Sequence, residues 1–190
     1  MPDNIKRQQI IHEAAKLLAQ SGYTTTSMQQ IADQVGTTKA ALYYYFESKE
    51  AVIKAIFDND YQHIKEDFDK IFLSNLSDYK KIEKLIQRLI ETKIKNPEFQ
   101  LLSHIGNSPK DRRSIAGYVR SYKKKFFSLM RRSLKKTNLF KNCPTYLHLT
   151  ETLIMGIVLS AIIHSKKHAE QVTRSFITIL KKMEKIHDCK

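Results

Sequence analysis

The sequence has little of what disulfide-stabilised or membrane-spanning proteins require. Its two cysteines, Cys143 and Cys189, cannot form a disulfide framework or a cysteine-based metal site. Only five glycines and four prolines occur among 190 residues, and alternating β-branched runs are hard to find, so helix is the expected structure. The most apolar stretch, residues 153–163, is far shorter than the roughly 20 residues of a membrane span and is predicted to be a buried helix.

The N-terminus also lacks the apolar core of a secretory signal. We therefore expect a cytoplasmic protein that does not associate with membranes. Hydrophobic residues make up 42% of the chain and charged residues 27%, which is typical of an ordered globular protein. A chain of 190 residues is long enough for one or two domains with a proper core.

The net charge of +14 is distributed unevenly along the chain. The segment 1–50 is neutral, whereas the segment 110–141 contains twelve bases against one acid, Asp111. The net charge of the whole chain therefore cannot by itself support a nucleic-acid site near the N-terminus. Three interpretations of the basic stretch stay open: a solvated helix face, attraction of an anionic effector such as an acyl thioester, and weak contact with DNA or a protein partner.

The part of the chain up to about Phe72 carries the signals of four helices. Apolar residues three and four apart mark the first helix, which is predicted to end at Ser21-Gly22. Residues 26–29 form a capping-box pattern that predicts the start of a second helix. Gly36 supplies the turn, after which Thr37 or Thr38 caps a third helix that reaches about Tyr45. Ser48 is predicted to cap a long fourth helix.

The remaining residues predict five further helices, so the chain is expected to be all-α with about nine in total. The starts of the first four are marked by cap residues or prolines. The last helix carries a single apolar seam with 4-3-4-3 spacing. These four predicted starts are Ser77-Asp78, Asn96-Pro97, Ser108-Pro109 and Cys143-Pro144-Thr145, and the last helix carries Val172, Phe176, Ile179, Met183 and Ile186.

The second and third helices, joined by a tight glycine turn, predict a helix-turn-helix between Ser27 and Phe46. In such a motif the second helix enters the DNA major groove, where base edges can be distinguished. Leu42 and Phe46 are predicted to face the first two helices. The start of the fourth helix, with free amides beside Lys49, is predicted to form a phosphate site. The exposed candidates for DNA contact on or before the third helix are Thr37, Thr38, Lys39, Ala40, Tyr43 and Tyr44.

Segments 22–32, 35–39 and 42–50 resemble the TetR family of one-component regulators in both spacing and residue type. The resemblance covers the N-terminal part of the chain as far as about Asp60. It implies a homodimer that binds a palindromic operator and represses transcription until a small molecule releases it. It also implies a three-helix DNA-binding domain over residues 4–64 and a helical effector-binding and dimerisation domain over residues 65–190.

The resemblance assigns roles to matching residues in the N-terminal segment. Thr26 or Ser27 would approach a phosphate at the start of the second helix, and Tyr43 and Tyr44 would lie on the DNA-facing side. Two residues depart from the family pattern: Thr37 replaces a small apolar residue and Ala40 replaces a glycine. The operator sequence of a relative therefore does not transfer to this chain. The full set of predicted DNA-binding residues is Thr26, Ser27, Thr37, Thr38, Lys39, Ala40, Tyr43, Tyr44 and Lys49.

The C-terminal half carries two further sets of candidates. The last two helices are predicted to form a dimer interface, the alternative being the core of a single subunit; this set is Gly156, Leu159, Ser160, Ile163, Val172, Phe176, Ile179 and Met183. Aromatic and polar residues of the intervening helices are predicted to line an effector pocket, with ordinary core packing as the alternative. That set is Tyr61, Phe68, Phe72, Phe99, His104, Tyr118, Tyr122, Phe126, Met130 and Thr152.

No pattern indicates an enzyme, a cofactor or a metal centre. The chain has no glycine-rich phosphate loop and no nucleophile motif. Its histidines are scattered, and His164 with His168 would make a weak surface metal pair at best. The predicted function is a DNA-binding transcriptional regulator, a repressor whose effector is small and largely apolar or anionic and whose site of action is the bacterial nucleoid. The alternative is a helical protein-interaction module without specific DNA binding.

Overall fold

A computed structural model describes the backbone of residues 2–95, 109–140 and 144–187, and the side chains of residues 4–92, 115–140, 146–161 and 163–182. Within these ranges the regular secondary structure is helical. The helix predicted to start at Asn96-Pro97 lies outside the described residues, as do Phe99 and His104. The all-α prediction is confirmed.

Eight α-helices occur in the described part of the chain. Four precede Leu73: α1 (Pro2–Ser21), α2 (Met28–Val35), α3 (Lys39–Tyr45) and α4 (Lys49–Phe72). The other four are α5 (Asp78–Lys95), α6 (Pro109–Leu134), α7 (Pro144–Ile163) and α8 (Lys166–His187), with a short 3₁₀ helix at Asn138–Phe140. Among the described residues, none of the helices is long and apolar enough to cross a membrane.

The start of α2 lies one residue later than the sequence pattern predicted. The capping box is formed by Ser27 and Gln30, because the Ser27 hydroxyl accepts a bond from the Gln30 amide while the Gln30 side chain accepts from the Ser27 amide. Residues 26–29 are therefore not the box. Thr26 instead turns inward, and its buried hydroxyl donates to the Gly22 carbonyl at 2.7 Å.

The other predicted caps of the helix-turn-helix are confirmed. Gly36 ends α2 in the left-handed conformation with φ of 70°, which a residue with a side chain rarely adopts. Of the two threonines that follow, Thr38 is the cap, since its hydroxyl accepts a bond from the Ala41 amide. Ser48 caps α4 through a bond from the Ala51 amide. These local bonds fix where α3 begins and ends.

The chain divides into two compact units. The first unit contains Met1–His63 with Asn96–Lys125, and the second contains Ile64–Lys95 with Phe126–Lys190. Compactness is a different criterion from function, so the predicted division between a DNA-binding and an effector domain at residues 64 and 65 stays a prediction.

The core of the first unit is built from the apolar faces of its helices. Ile10, Leu18, Ile31 and Ile53 are completely buried, and they pack with residues of α6 that include Ile115. Leu42 and Phe46 are buried in the same cluster, which confirms their predicted inward orientation. The α3 helix is therefore held to α1, α2 and α4 by one face only.

In the second unit α5, α7 and α8 pack against one another. The predicted seam of α8 is only partly buried: Phe176 is in the core, whereas Ile179 is exposed. The buried face consists instead of Ala169, Thr173, Phe176, Ile177 and Leu180. Ile179 therefore does not belong to a core seam within the subunit.

Replacement by alanine is expected to destabilise the protein at Gly36 and to stabilise it at Gly117. A Cβ would contact nothing at either position, so backbone conformation alone decides the outcome. Gly36→Ala should cost about 1–2 kcal/mol because φ is positive. Gly117→Ala, within α6 of the same unit, should stabilise by about 0.5–1 kcal/mol through helix propensity. Urea denaturation of the two variants measures both, and equal effects would contradict the left-handed conformation at Gly36.

Candidate nucleic-acid interface

The outer face of α3 presents polar and aromatic side chains to solvent. Tyr44 is 75% exposed and Tyr43 is 45% exposed, while Lys39 and Ala40 are also exposed. Tyr45 is half-buried and packs edge-to-face against Tyr44, with ring centroids 5.1 Å apart. The structure thus brings most of the predicted contact residues together on one surface. That surface is named the α3 face and consists of Thr38, Lys39, Ala40, Tyr43 and Tyr44.

Thr37 lies at the edge of this face and is half-buried. Its amide donates to the Ala32 carbonyl at 2.9 Å, which closes the turn after α2. Thr38 is exposed, and its hydroxyl is engaged in the α3 cap. Both threonines therefore have a structural task in the turn, which leaves Lys39, Tyr43 and Tyr44 as the most available groups for contact with DNA.

The two candidates at the start of α2 differ in accessibility. The Ser27 side chain is exposed, while Thr26 is buried with its hydroxyl bonded inside the protein. Of this pair, Ser27 is the residue whose side chain and helix-terminal position suit a phosphate. The contact itself stays a prediction for both residues.

Lys49 occupies a position that the sequence did not predict. Its ammonium group donates to the carbonyl oxygens of Tyr23 and Thr26 at 2.6 and 2.5 Å. It also lies 4.3 Å from the centroid of the Tyr23 ring, within the range of a cation–π interaction. The side chain therefore ties the start of α4 to the loop between α1 and α2. Its predicted role as a phosphate ligand stays a prediction beside this structural one.

A hydrogen bond between Tyr23 and Glu50, next to Lys49, was not predicted from the sequence. The Tyr23 hydroxyl donates a hydrogen bond to the Glu50 carboxylate. This bond, followed by one from backbone at the helix start, holds the pKa of Glu50 below its ordinary value. The stabilisation is therefore complete above the pKa of Glu50 in the unfolded chain and is lost as pH falls through the lowered value. A partner so distant along the chain leaves no signal in local sequence.

The first unit also contains an open cleft beside α3. Its volume is about 700 Å³, and it runs from the end of α3 along the outer side of α4. The lining combines aromatic rings with charges of both signs, and includes Arg7, Tyr44, Glu47, Lys54 and Asp58. Sequence reasoning did not predict this cleft, because no single helix contributes all of its walls.

The residues predicted for the effector pocket are divided between the two units. In the first unit the Tyr122 hydroxyl bonds to the buried carboxylate of Asp60, and Tyr61 and Tyr118 lie nearer the surface. In the second unit most members belong to the side-chain packing: Phe68, Phe72 and Met130 are buried, and Phe126 packs on Phe68.

Thr152 is exposed, and its hydroxyl donates to the His148 carbonyl within α7. Phe99 and His104 lie outside the described residues. The ten candidates therefore are not brought together in either unit by itself. An effector pocket formed by them stays a prediction.

One side of α7 is apolar and exposed. Leu149, Leu153, Gly156, Leu159 and Ile163 follow each other at spacings of three and four residues and so share one side of the helix. Ile163 is 64% exposed. These five residues are named the α7 face. Leu149 and Leu153 were missed by sequence reasoning, because α7 is apolar on several sides and periodicity does not show which side is covered.

The other predicted interface residues are placed around this face in different ways. Ser160 is half-buried, and its hydroxyl donates to the Ile157 carbonyl. On α8, Ile179 is exposed, Val172 is half-buried and Phe176 lies in the core. The side chain of Met183 lies outside the described residues.

Part of the predicted basic stretch is neutralised by ion pairs. Arg131 forms a bidentate pair with Glu151 at 2.7 and 2.8 Å, Lys136 pairs with Asp69 and Lys125 with Asp58. Arg120, Lys123 and Lys124 are exposed, as are Arg132 and Lys135. Much of the stretch is thus a solvated helix face, the first of the three interpretations.

Comparison with known sequences places the N-terminal segment in a regulator family. Residues 10–56 match the family described as bacterial regulatory proteins, tetR family. An uncharacterized HTH-type transcriptional regulator of Bacillus subtilis, YuxN, is 45% identical over 56 residues, which is 30% of this chain and 19% of that protein. The HTH-type negative regulator IcaR of the Staphylococcus epidermidis biofilm operon icaADBC is 29% identical over 85 residues, 45% of this chain and 44% of IcaR. The chain thus covers less than half the length of either relative.

Comparison with solved structures extends the similarity along the chain. A TetR/AcrR family regulator from Thermobifida fusca is 26% identical with a TM-score of 0.62, over 90% of this chain and 96% of that one. The regulator AibR, solved with isovaleryl coenzyme A and operator DNA, has a TM-score of 0.65 at 19% identity, over 92% and 97% of the two chains. The motif match at residues 10–56 and the shared helical fold agree: the N-terminal segment matches the TetR family of bacterial regulators, and the chain as a whole is similar in fold to regulators of that family.

Proposed function

We propose that the protein is a transcriptional repressor that binds a palindromic DNA operator as a homodimer. The observation that carries the proposal is the α3 face: Lys39, Tyr43 and Tyr44 are exposed, while Leu42 on the opposite side is completely buried. A helix anchored by one side and exposed on the other can enter a major groove without unfolding. Tyrosine hydroxyls and a lysine ammonium group supply donors for phosphates and base edges.

The α7 face supports the homodimer. A row of exposed leucines at helical spacing is costly in water and is typical of a helix that packs against another. Gly156 in the middle of the row leaves open space around its Cα, which permits a partner helix to come close. A two-fold dimer would place two α3 helices at half-sites about one DNA turn apart, roughly 34 Å.

Release by a small effector is the third part of the proposal. AibR, which shares the fold, is described with isovaleryl coenzyme A, an anionic acyl thioester. The exposed bases of α6 are consistent with attraction of an anion of this kind, which is the second interpretation of the basic stretch. The effector would be small and largely apolar or anionic, and it would act by binding the DNA-free state more tightly. Such a regulator acts in the bacterial cytoplasm, at its operator in the nucleoid.

A helical protein-interaction module is the second candidate function. The α7 face favours it, since exposed leucines could equally contact a different protein. The two candidates differ in their requirement for DNA. A repressor must bind the DNA near its own gene in a salt-sensitive and sequence-selective manner, while an interaction module need not.

Tyr44→Ala is expected to weaken operator binding by more than about tenfold, because a placed contact in the groove is worth about 1–3 kcal/mol. The measurement is a mobility shift with DNA from around the gene, with competitor DNA and at several salt concentrations. Tyr61→Ala is the control, since Tyr61 is a half-buried tyrosine of the same unit that belongs neither to the α3 face nor to the lining of the cleft beside it. A second control, Lys124→Glu, should change affinity only at low salt.

The result that contradicts the repressor proposal is the absence of a selective, salt-sensitive shift at micromolar protein. A shift that persists unchanged in Tyr44→Ala and Tyr43→Ala would contradict the orientation of α3 instead. Circular dichroism and the molar mass of each variant must match those of the original protein. These two readouts separate loss of contact from loss of fold.

A further inference from the structure

Two histidine rings meet at the corner between α7 and α8. The centroids of His164 and His168 are 4.8 Å apart and their planes are inclined by 57°. The sequence spacing of four suggests a pair on one helix, but the structure shows a different arrangement. His164 directly follows the end of α7, and His168 lies in the first turn of α8. The turn, rather than helical periodicity, brings the rings together.

The backbone on both sides of the turn is held by hydrogen bonds. The His164 amide donates to the Ser160 carbonyl at 2.9 Å, which continues the last turn of α7. Ser165 caps α8, because its hydroxyl accepts a bond from the His168 amide at 3.1 Å and its carbonyl accepts from Ala169. The two Cα positions are therefore fixed before any ligand binds, which reduces the entropic cost of bringing two imidazoles together.

We propose that His164 and His168 bind one divalent ion of the late first-row transition metals, such as Zn²⁺ or Cu²⁺. An imidazole nitrogen binds zinc at about 2.0–2.1 Å, which places the ring centroid about 3.2 Å from the ion. Two such rings at about 90–110° around the ion have centroids about 4.5–5.2 Å apart. The observed separation of 4.8 Å lies within this interval. Rotation about χ2 turns the ring nitrogens toward the ion with little movement of the centroids.

The donor set restricts the kind of ion. Among the described residues no third histidine, cysteine, aspartate or glutamate joins the pair, so nitrogen is the only protein donor and water would complete the coordination shell. Calcium and magnesium require oxygen ligands, whereas imidazole suits zinc, nickel and copper. Copper(II) should bind most tightly, because affinity rises along the series to that ion.

Some groups around the histidine pair favour a bound cation and others oppose it. His164 lies beside the C-terminal end of α7, where the helix dipole favours a cation, whereas His168 lies in the first turn of α8, where the dipole opposes one. Lys166 and Lys167 are exposed nearby and oppose it, although Lys166 is within 3.8 Å of Glu170. Both histidines are exposed, so the ion can reach the nitrogens without a change in fold. The pair lies in the second unit and the α3 face in the first, so binding of the ion is tested without operator DNA.

The test is titration of the metal-free, tag-free protein with Zn²⁺ by calorimetry and with Cu²⁺ by electron paramagnetic resonance. Cys143 and Cys189 are first replaced by serine, so that thiolates do not bind the ions. We expect one saturable site per chain, with a copper spectrum that shows nitrogen ligands. His164→Ala and His168→Ala should each weaken binding by more than about tenfold, and the double variant should lose the site.

The matched control is His12→Ala with His63→Ala, which removes two exposed histidines of the first unit. This variant should bind Zn²⁺ and Cu²⁺ like the original protein. The proposal is overturned if no saturable site is found, if the site survives in the double variant of His164 and His168, or if one ion binds per two chains. All variants must show the original circular dichroism.

Discussion

Lys49→Met is expected to lower the free energy of unfolding of the first unit by about 2–4 kcal/mol. The substitution keeps the aliphatic stem and removes the ammonium group that bonds to the Tyr23 and Thr26 carbonyls. Hydrogen bonds to a charged group contribute about 1.5–3 kcal/mol, and the cation–π contact with Tyr23 adds about 0.5–1 kcal/mol. Two carbonyl oxygens would also lose their partner.

Urea denaturation followed by circular dichroism measures this loss. Lys54→Met is the matched control, because Lys54 lies on the same helix, is exposed and has only a 3.6 Å ion pair with Asp58. Such a pair contributes about 0–1 kcal/mol. If Lys49→Met leaves stability unchanged but weakens operator binding in the folded protein, the ammonium group acts on a phosphate, as the family resemblance implies, and the structural role is wrong.

Lys49 illustrates which parts of the site the sequence could predict. Its position at the start of α4 follows from Ser48 and from local capping rules, and the structure confirms that start. The direction of its side chain depends on the loop around Tyr23, which is distant along the chain. Local rules describe bonds between residues three or four apart, so they recover the roles of Gly36, Thr38 and Ser48 but not the bonds of Lys49 and Glu50 to Tyr23.

The helix boundaries were predictable for the same physical reason. A cap or a left-handed glycine satisfies backbone groups within a few residues, and the signal for it is therefore local. The one-residue error at the start of α2 arose because Thr26 and Ser27 are both good cap residues. The structure resolves the choice through tertiary contact: Thr26 is buried against the preceding turn, and only Ser27 remains at the helix end.

The covered and exposed sides of α7 could not be predicted. Residues 153–163 are apolar all round, so their periodicity does not indicate a direction. The structure buries Ile154, Ile157, Val158 and Ala161, and leaves the α7 face exposed. Packing against α5 and α8 makes this choice, and it depends on residues far away in sequence. The structure thus shows which apolar residues of α7 are exposed and so accessible to the proposed partner subunit, whereas the sequence pattern does not.

Leu153→Glu combined with Leu159→Glu is expected to convert the proposed dimer to a monomer. In a two-fold interface the change places four carboxylates among apolar side chains, and leaving even one charge buried without a partner costs about 3–5 kcal/mol. The dimer dissociation constant should therefore rise by more than about a hundredfold. Both leucines are exposed in the single chain, so the fold should be retained. Sedimentation equilibrium gives the mass, and circular dichroism checks the fold.

Leu73→Glu is the control for this experiment. Leu73 is 74% exposed in the same unit but does not belong to the α7 face, so its replacement should leave the dimer intact. Operator affinity should fall in the monomeric variant, because one α3 helix then binds one half-site without the contribution of the second. A monomer that retains full operator affinity would contradict the palindromic operator. A dimer that survives both glutamates would show that the leucines of α7 contact something else.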